Sequence, residues 1–415
     1  MGWGRSMLDL EFVRAQFPAL ANGYAYLDNA GGSQVPRQVV ERIGQYLLGS
    51  NVQTGASYSE SQIATARVLA ARDSVANLIN ARRSEEVVMG GATTLLMFLF
   101  CRALGPGIEP GDEIILTETD HEANIGAWVA LQERGAVIRF WNINRETFQL
   151  DMADLQALIT PKTRWVSMTH ASNILGTVNP VAEVARMVHA AGARLCVDAV
   201  AYAPHRLVDV QASGADVYVF SFYKVFGPHY AVLWGDYELL RSLPSLNHFF
   251  IGRDVLPYKL QPGNVNYELS YGCIGISDYL NAVGERLGVA ADPADPRARM
   301  CAAFAAFEVH EAALAERLLQ FLRQKPGVNI IGHAASDASL RVPTISFTVD
   351  GMQSEAIVRQ IDPHRIGIRF GDFYAKRLVK ALALEDAGGV VRVSIAHYNT
   401  MDEIDRLVSH LAPVI

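Results

Sequence analysis

Between about residue 60 and residue 220, stretches with helical spacing of apolar residues alternate with short, wholly apolar runs, and that rhythm leaves few architectures open. Helical patterns cover Ile63–Asn80, Thr94–Leu104, Ile125–Arg134 and Pro180–Ala191. Strand patterns cover Glu86–Met89, Glu113–Leu116, Val137–Trp141, Arg164–Thr169, Arg194–Asp198 and Val217–Phe220. Apolar runs without polar alternation are strands buried on both faces, and the helices between them supply crossovers. The spacing predicts an α/β domain with a largely parallel sheet.

Beyond the connector Ala291-Asp292-Pro293-Ala294-Asp295-Pro296 the pattern changes. One long helix, about Arg297–Lys325, precedes strands at Thr344–Val349, Ile366–Phe370 and Val390–Ile395 and a last helix at Met401–Leu411. This predicts a smaller α+β domain. The expected division is an N-terminal segment over 1–22 packing with the small domain, a large domain over 23–290 and a small domain over 291–415. A chain of 415 residues, half of them hydrophobic, can fill two such cores.

Charge and cysteine usage narrow the partners. Lys plus Arg number 36 against 43 Asp plus Glu, with no basic run, so no nucleic-acid partner is expected. Cys101, Cys196, Cys273 and Cys301 form no C-x-x-C pair, which argues against a disulfide framework or a metal site and fits reduced thiols in the cytoplasm. No run approaches the roughly 18 apolar residues of a membrane span. The N-terminus lacks a signal-peptide core, and Met1-Gly2 with Ser6 meets a loose acylation pattern short enough to arise by chance.

Five places carry candidate chemistry. Lys224, in Ser221-Phe222-Tyr223-Lys224-Val225-Phe226-Gly227-Pro228, follows an apolar strand, where open α/β sheets bind ligands. A lysine amine in a shielded cleft can form an imine with an aldehyde, although a surface lysine after a strand fits the same residues. Asp198 closes the strand one crossover upstream and could pair with the ring nitrogen of pyridoxal 5′-phosphate (PLP), or simply cap a helix. Gly90-Gly91-Ala92-Thr93-Thr94 opens an apolar helix whose free N–H groups suit a phosphate, or forms a plain turn. His121, in Thr119-Asp120-His121-Glu122-Ala123-Asn124, could stack on a cofactor or move protons, or sit in an exposed loop. Arg392, on Val390-Val391-Arg392-Val393-Ser394, could point into an interdomain cleft and clamp a carboxylate, or face solvent.

Together and in this order, these segments resemble the class V aminotransferase family of PLP fold type I, in its cysteine desulfurase and selenocysteine lyase branch. The matching pieces are Asp28-Asn29-Ala30, His121 with Ala123-Asn124, Ser172-Asn173 with Leu175-Gly176-Thr177, Val197-Asp198, Ser221 with Lys224, Gly227-Pro228, and Arg392 with Tyr398-Asn399-Thr400. The resemblance implies a seven-stranded, mainly parallel sheet with a smaller C-terminal domain, and a homodimer whose sites are completed across subunits. It implies that Lys224 carries PLP as a Schiff base, Asp198 pairs with the pyridine nitrogen and His121 stacks on the ring. Ala92, Thr93 and Ser221 would hold the phosphate, with Tyr223 and Asn173 also on the cofactor and Asn264 reaching from the other subunit. Substrate contacts would be Asn29, Asn173, Arg392, Tyr374 and Arg369.

The departures are specific. Desulfurases of this branch carry a sulfur-accepting Cys in an Arg-x-Gly-x-x-Cys-Ala loop; the aligned stretch Arg369-Phe370-Gly371-Asp372-Phe373-Tyr374-Ala375 has Tyr374 there. A phenol cannot form a persulfide. Tyr223 replaces a His before the lysine, Ala201 a Gln, and Asn264 a Thr. Cys273 is the least constrained alternative thiol. The expectation is a PLP-dependent enzyme for an amino acid or S-substituted cysteine, acting by β-elimination as a C–S lyase. Transamination and epimerisation remain open, as does a non-catalytic PLP-fold scaffold. A nucleotide enzyme would need a G-x-G-x-x-G or Walker loop, and neither is present.

Overall fold

Thirteen strands and the helices between them are described over residues 8–415 by a computed structural model. Met1, Gly2 and Ser6, and the acylation pattern with them, lie outside the described residues. The strands are β1 (Ala25–Tyr26), β2 (Val87–Gly90), β3 (Glu113–Thr117), β4 (Val137–Trp141), β5 (Thr163–Thr169), β6 (Arg194–Asp198), β7 (Val217–Ser221), β8 (Ala231–Gly235), β9 (Val328–Ile331), β10 (Thr344–Val349), β11 (Ile366–Gly367), β12 (Arg369–Gly371) and β13 (Val390–Ser394).

Seven of them form one sheet in the order β2-β8-β7-β6-β5-β3-β4. The pairs from β7 through β4 are parallel; β8 runs antiparallel to both of its neighbours. As β2 and β7 both oppose β8, they share a direction. Six strands, β2 through β7, therefore end at one edge of the sheet. Both faces are covered, as the apolar runs require: Leu195 and Val197 of β6 join the core on one side, and Cys196 joins the core on the other. The expectation of a largely parallel α/β sheet holds. The strand of this sheet missing from the sequence reading is β8, which returns from β7 through the Phe222–Tyr230 turn; β1 and β9, outside this sheet, are also additional to it.

The second sheet is antiparallel, in the order β12-β13-β10-β9, and packs on the helices Ala298–Arg323, Ser354–Ile361 and Met401–Leu411. The expected single strand Ile366–Phe370 is two. Ile366–Gly367 pairs in parallel with β1, whereas Arg369–Gly371 pairs with β13; the chain changes partners at Ile368, whose side chain enters the core. The expected helix Ile125–Arg134 is also shorter, a turn over Gly126–Val129 continued by a 3₁₀ segment.

The two cores exchange along a single helix. In Ala298–Arg323, Met300, Ala303, Phe304 and Phe307 pack under the large sheet, while Leu314, Leu318 and Leu322 pack under the small one. The N-terminal segment touches both parts. Val13, Phe17 and Leu20 join the large core, and Arg14 reaches Glu403 at 3.1 Å and donates to the Tyr398 carbonyl. Among the described residues no helix is long and apolar enough to cross a membrane.

Candidate active site

At the shared strand edge lies a cleft, and Thr93, His121, Asn173, Asp198, Ser221 and Lys224 all line it. Each arrives there because its strand ends there. β2 leads through Gly90 to the helix Thr93–Leu104, whose Ala92 N-cap offers no side-chain acceptor, so the first-turn N–H groups stay available for an anion. The Thr93 and Ser221 hydroxyls meet beside them at 2.7 Å. β3 leads to His121, β5 to Asn173, β6 ends on Asp198, and β7 ends on Ser221 three residues before Lys224.

The two buried lysines of the chain show what sets Lys224 apart. Lys259 is wholly buried, and its Nζ donates to the carbonyls of Leu243 at 2.7 Å and Arg241 at 3.0 Å. Lys224 is 7% exposed and its Nζ has no hydrogen-bond partner among the described residues; the nearest π face, Tyr223, lies 5.9 Å away. Burial, aided by the Arg392 charge and opposed by Asp198, lowers the Lys224 amine to about 8. A free, partly deprotonated amine in a cleft is a nucleophile; an amine tied to two carbonyls is not.

Burial raises Asp198 to about 6, against the Val200 N–H that its Oδ1 accepts at 2.8 Å and the nearby Lys224 charge. A buried carboxylate held this high lacks a cationic donor at close range, and a protonated pyridine nitrogen supplies one. His121 accepts from the Ala123 N–H on Nδ1 at 3.0 Å, which puts its proton on Nε2. Burial, with Lys224 and Arg392 nearby, lowers this imidazole to about 4, so it is neutral near pH 7 and free to lie against a cationic ring. The donor set thus fits PLP: an unpaired amine, a carboxylate short of a cation, a neutral aromatic wall, and an anion cradle with two hydroxyls. Tyr223 lines the cleft too, stacked on His229 with ring centroids 5.0 Å apart.

Arg392 reaches the site from the small sheet. The loop after β5 packs on β10: Ser346 donates to the Ile174 carbonyl at 2.6 Å, and the Val342 N–H donates to Gly176 at 2.9 Å. Gly176 sits at φ +70°, where an added Cβ would lie 2.4 Å from the Thr344 carbonyl oxygen, so only glycine permits this close approach. Arg392 pairs with Ser346 across β10 and β13 and so comes beneath the same loop. Its Nη1 donates to the Asn173 carbonyl at 3.1 Å and its Nη2 to Asp28 at 2.9 Å. The side chain is only 2% exposed, Nε has no partner, and neither has the buried Oδ1 of Asn173. Arg392 therefore faces inward, not solvent.

A five-residue segment, residues 371–375, forms a roof over Arg392 and runs beside His121. Phe373 and Tyr374 both hold left-handed backbone, at φ +50° and +59°, which costs on the order of 1–3 kcal/mol for each non-glycine residue. Four hydrogen bonds enforce it. Asp372 accepts the Tyr374 N–H on Oδ1 at 3.0 Å and the Ala375 N–H on its carbonyl at 2.8 Å. Asn173 Nδ2 donates to the Phe373 carbonyl at 3.0 Å, and the Glu122 N–H to that of Tyr374 at 2.8 Å. The Tyr374 ring is 5.3 Å from His121 and its residue 70% exposed.

Several expected residues stand apart. The Asn29 amide is fully engaged, donating to the Tyr26 and Ser394 carbonyls and to Asn399 and accepting from Tyr398, so its role is to join the N-terminal segment to the small sheet. Arg369 is more than half exposed and 3.7 Å from Asp28. Asn264 lies on an exposed loop outside this cleft. Cys273 is buried and bonded to the Leu269 carbonyl, and burial pushes its thiol well above the usual range. It cannot serve as the alternative nucleophile, and no cysteine lines the cleft.

Three contributors escaped the sequence reading. Asp28 anchors Arg392, and Phe373 covers it. Asp120, buried and raised to about 8 by desolvation, accepts from Asn124 Nδ2 at 2.8 Å and from the Thr117 hydroxyl, which fixes the His121 turn. A polar run straight after an apolar strand, Thr117-Glu118-Thr119-Asp120, was the available signal for that last one.

The chain is similar to known proteins along most of its length. The chain matches the family model described as aminotransferase class-V over residues 25–253 and 298–407. It is 41% identical over 420 residues to the aminotransferase-like protein FGM3 of Gibberella zeae, covering 99% of both chains. It is 32% identical over 422 residues to the cysteine desulfurase-like protein ustD of Aspergillus flavus, covering 99% of this chain and 91% of the other. Among solved structures, the cysteine desulfurase CsdA of Escherichia coli superposes with a TM-score of 0.82 at 29% identity, covering 98% of each chain.

Proposed function

This chain belongs to the class V aminotransferase family of PLP-dependent enzymes, and from that premise we propose that it eliminates a β-substituent, such as a thiol, from an α-amino acid. The observation that carries the reading is the unbonded Lys224 amine sharing a cleft with Asp198 and Asn173, beside an inward Arg392, with no thiol in reach.

When bound, PLP offers an aldehyde to amines and a protonated ring that draws electron density from a substrate's α-carbon. The rest falls to side chains. Thr93, Ser221 and the Ala92 turn hold the phosphate, Asp198 keeps a proton on the ring nitrogen, and His121 walls the ring. Arg392, with Asn173, takes the substrate carboxylate in a charge-assisted pair. Lys224, with its proton affinity lowered by burial, would take the proton from the substrate's α-carbon. The β-substituent would then depart with the bonding pair and take a proton, for which the Lys224 ammonium formed in that transfer is the available donor. Hydrolysis of the released enamine gives pyruvate and ammonia when the β-carbon carries no other group.

Family members act on small amino acids and typically form dimers, and the same proposal covers a cytoplasmic homodimer. Asn264 on its exposed loop and the nearly fully exposed Phe249 are the residues a second copy would cover. The proposal also divides the chain into a large domain over 23–290 and a small domain over 291–415, with the helix after the connector shared by both cores.

The test is a product screen of PLP-loaded protein with cysteine, its sulfoxide and S-alkyl conjugates. Thiol, pyruvate and ammonia in equal amounts, without protein persulfide, are expected. Keto acid with the sulfur retained would mean transamination, loss of optical activity alone would mean epimerisation, and either would overturn elimination. A spectrum unmoved by any amine would favour a scaffold.

A further inference from the structure

Phe373 places its ring over the one charged group that the proposed chemistry needs for substrate. Its ring centroid is 3.7 Å from the Arg392 guanidinium carbon, and the Arg369 guanidinium approaches the same ring at 5.9 Å. Arg392 keeps two of its nitrogens on fixed acceptors, the Asn173 carbonyl and Asp28. Nε remains buried without a partner, and the Asn173 Oδ1 is likewise unpaired. The ring is held from behind, because the Phe373 carbonyl accepts Asn173 Nδ2 and the adjoining Tyr374 carbonyl accepts the Glu122 N–H. A buried planar cation bonded at two corners and covered by a ring on one face keeps one orientation and little water.

We propose that Phe373 is a positioning residue for carboxylate recognition: its ring fixes and dehydrates the Arg392 plane so that the unpartnered Nε edge meets the substrate carboxylate. The inference rests on Arg392 being the carboxylate seat. It assigns substrate selectivity in this chain to an aromatic face next to the position where desulfurases carry their cysteine. The contact orders a cation already bonded at two corners, so losing it weakens the carboxylate interaction without touching Lys224, Asp198 or the phosphate cradle. Tyrosine keeps the flat face; leucine keeps most of the volume and loses it.

Isothermal titration of the PLP-loaded protein with L-alanine and with L-alaninamide, which lacks the carboxylate, reads the effect without turnover. Phe373→Leu should weaken L-alanine on the order of 10-fold, leave L-alaninamide unchanged, and leave the cofactor spectrum as in the parent. Phe373→Tyr should bind both as the parent does. Equal losses for the two ligands, or parental affinity of Phe373→Leu for L-alanine, would overturn the proposal. Arg392→Ala separates the two levels. If it too binds L-alanine normally, the carboxylate seat itself is wrong; if it binds poorly while Phe373→Leu does not, only the role of Phe373 fails.

Discussion

Asp198 and Lys224 stand at the ends of neighbouring strands of one sheet, whereas Arg392 and Phe373 come from a second sheet and a roof segment whose shape depends on contacts over 200 residues away in sequence. The first pair would be placed by any parallel sheet with this strand order. The second exists only because Gly176 lets the loop after β5 press onto β10, and because Asn173 and Glu122 hold Phe373 and Tyr374 in left-handed backbone. On the proposed reading, cofactor chemistry sits on strand ends of one sheet, and substrate choice on residues that the second sheet and the roof segment bring in.

Four substitutions bear on that contrast. The largest effect belongs to Lys224→Ala. It should remove the visible absorption of the PLP-loaded protein and lower turnover about 10⁴-fold, read by spectrophotometry and product assay. Asp198→Asn follows, lowering turnover about 10³-fold, the scale on which breaking a buried ion pair acts. The same change should stabilise the cofactor-free protein. Asp198 is raised when folded, so between about pH 4 and pH 6 the folded state holds a proton that the unfolded state has released, and stability falls as pH rises through that window. The melting temperature of Asp198→Asn should therefore exceed the parent's by a few degrees at pH 7.5 and converge with it at pH 3.5.

In the other half, Arg392→Ala should raise KM for carboxylate substrates about 100-fold, as loss of charged hydrogen bonds predicts, with the cofactor spectrum unmoved. A shifted spectrum would mean that the two halves are coupled and the contrast is false. Tyr374→Cys should change least. The ring is largely exposed and lies beside His121, so folding and cofactor uptake should be as in the parent, and mass spectrometry after L-cysteine treatment should find a persulfide on the introduced thiol. No persulfide would mean that the segment is not placed like a desulfurase loop.

The same contrast explains what could be read from the chain in advance. Apolar runs closed by a single Asp or Lys are local signals, and they located β6, β7 and the residues that end them. The strand β8 was harder to see, because Ala231–Gly235 follows its partner at a short distance and lacks a helix to announce it. Ile366–Phe370 reads as one strand because its residues are apolar throughout the first three positions of interest, yet two sheets compete for it and each takes part. Asn29 was matched by motif to the substrate, while its amide is consumed by Tyr26, Ser394, Tyr398 and Asn399, partners that no local pattern announces. Phe373 carried no local signal at all, since its position depends on its left-handed backbone and on Asn173.

Reduction of the PLP-loaded protein with borohydride, followed by digestion and mass mapping, tests the central assignment most directly. The account predicts one phosphopyridoxyl group per chain, on the peptide containing Lys224. A label on the peptide containing Lys259, the other buried lysine with a lowered amine, or a label spread over surface lysines would contradict it.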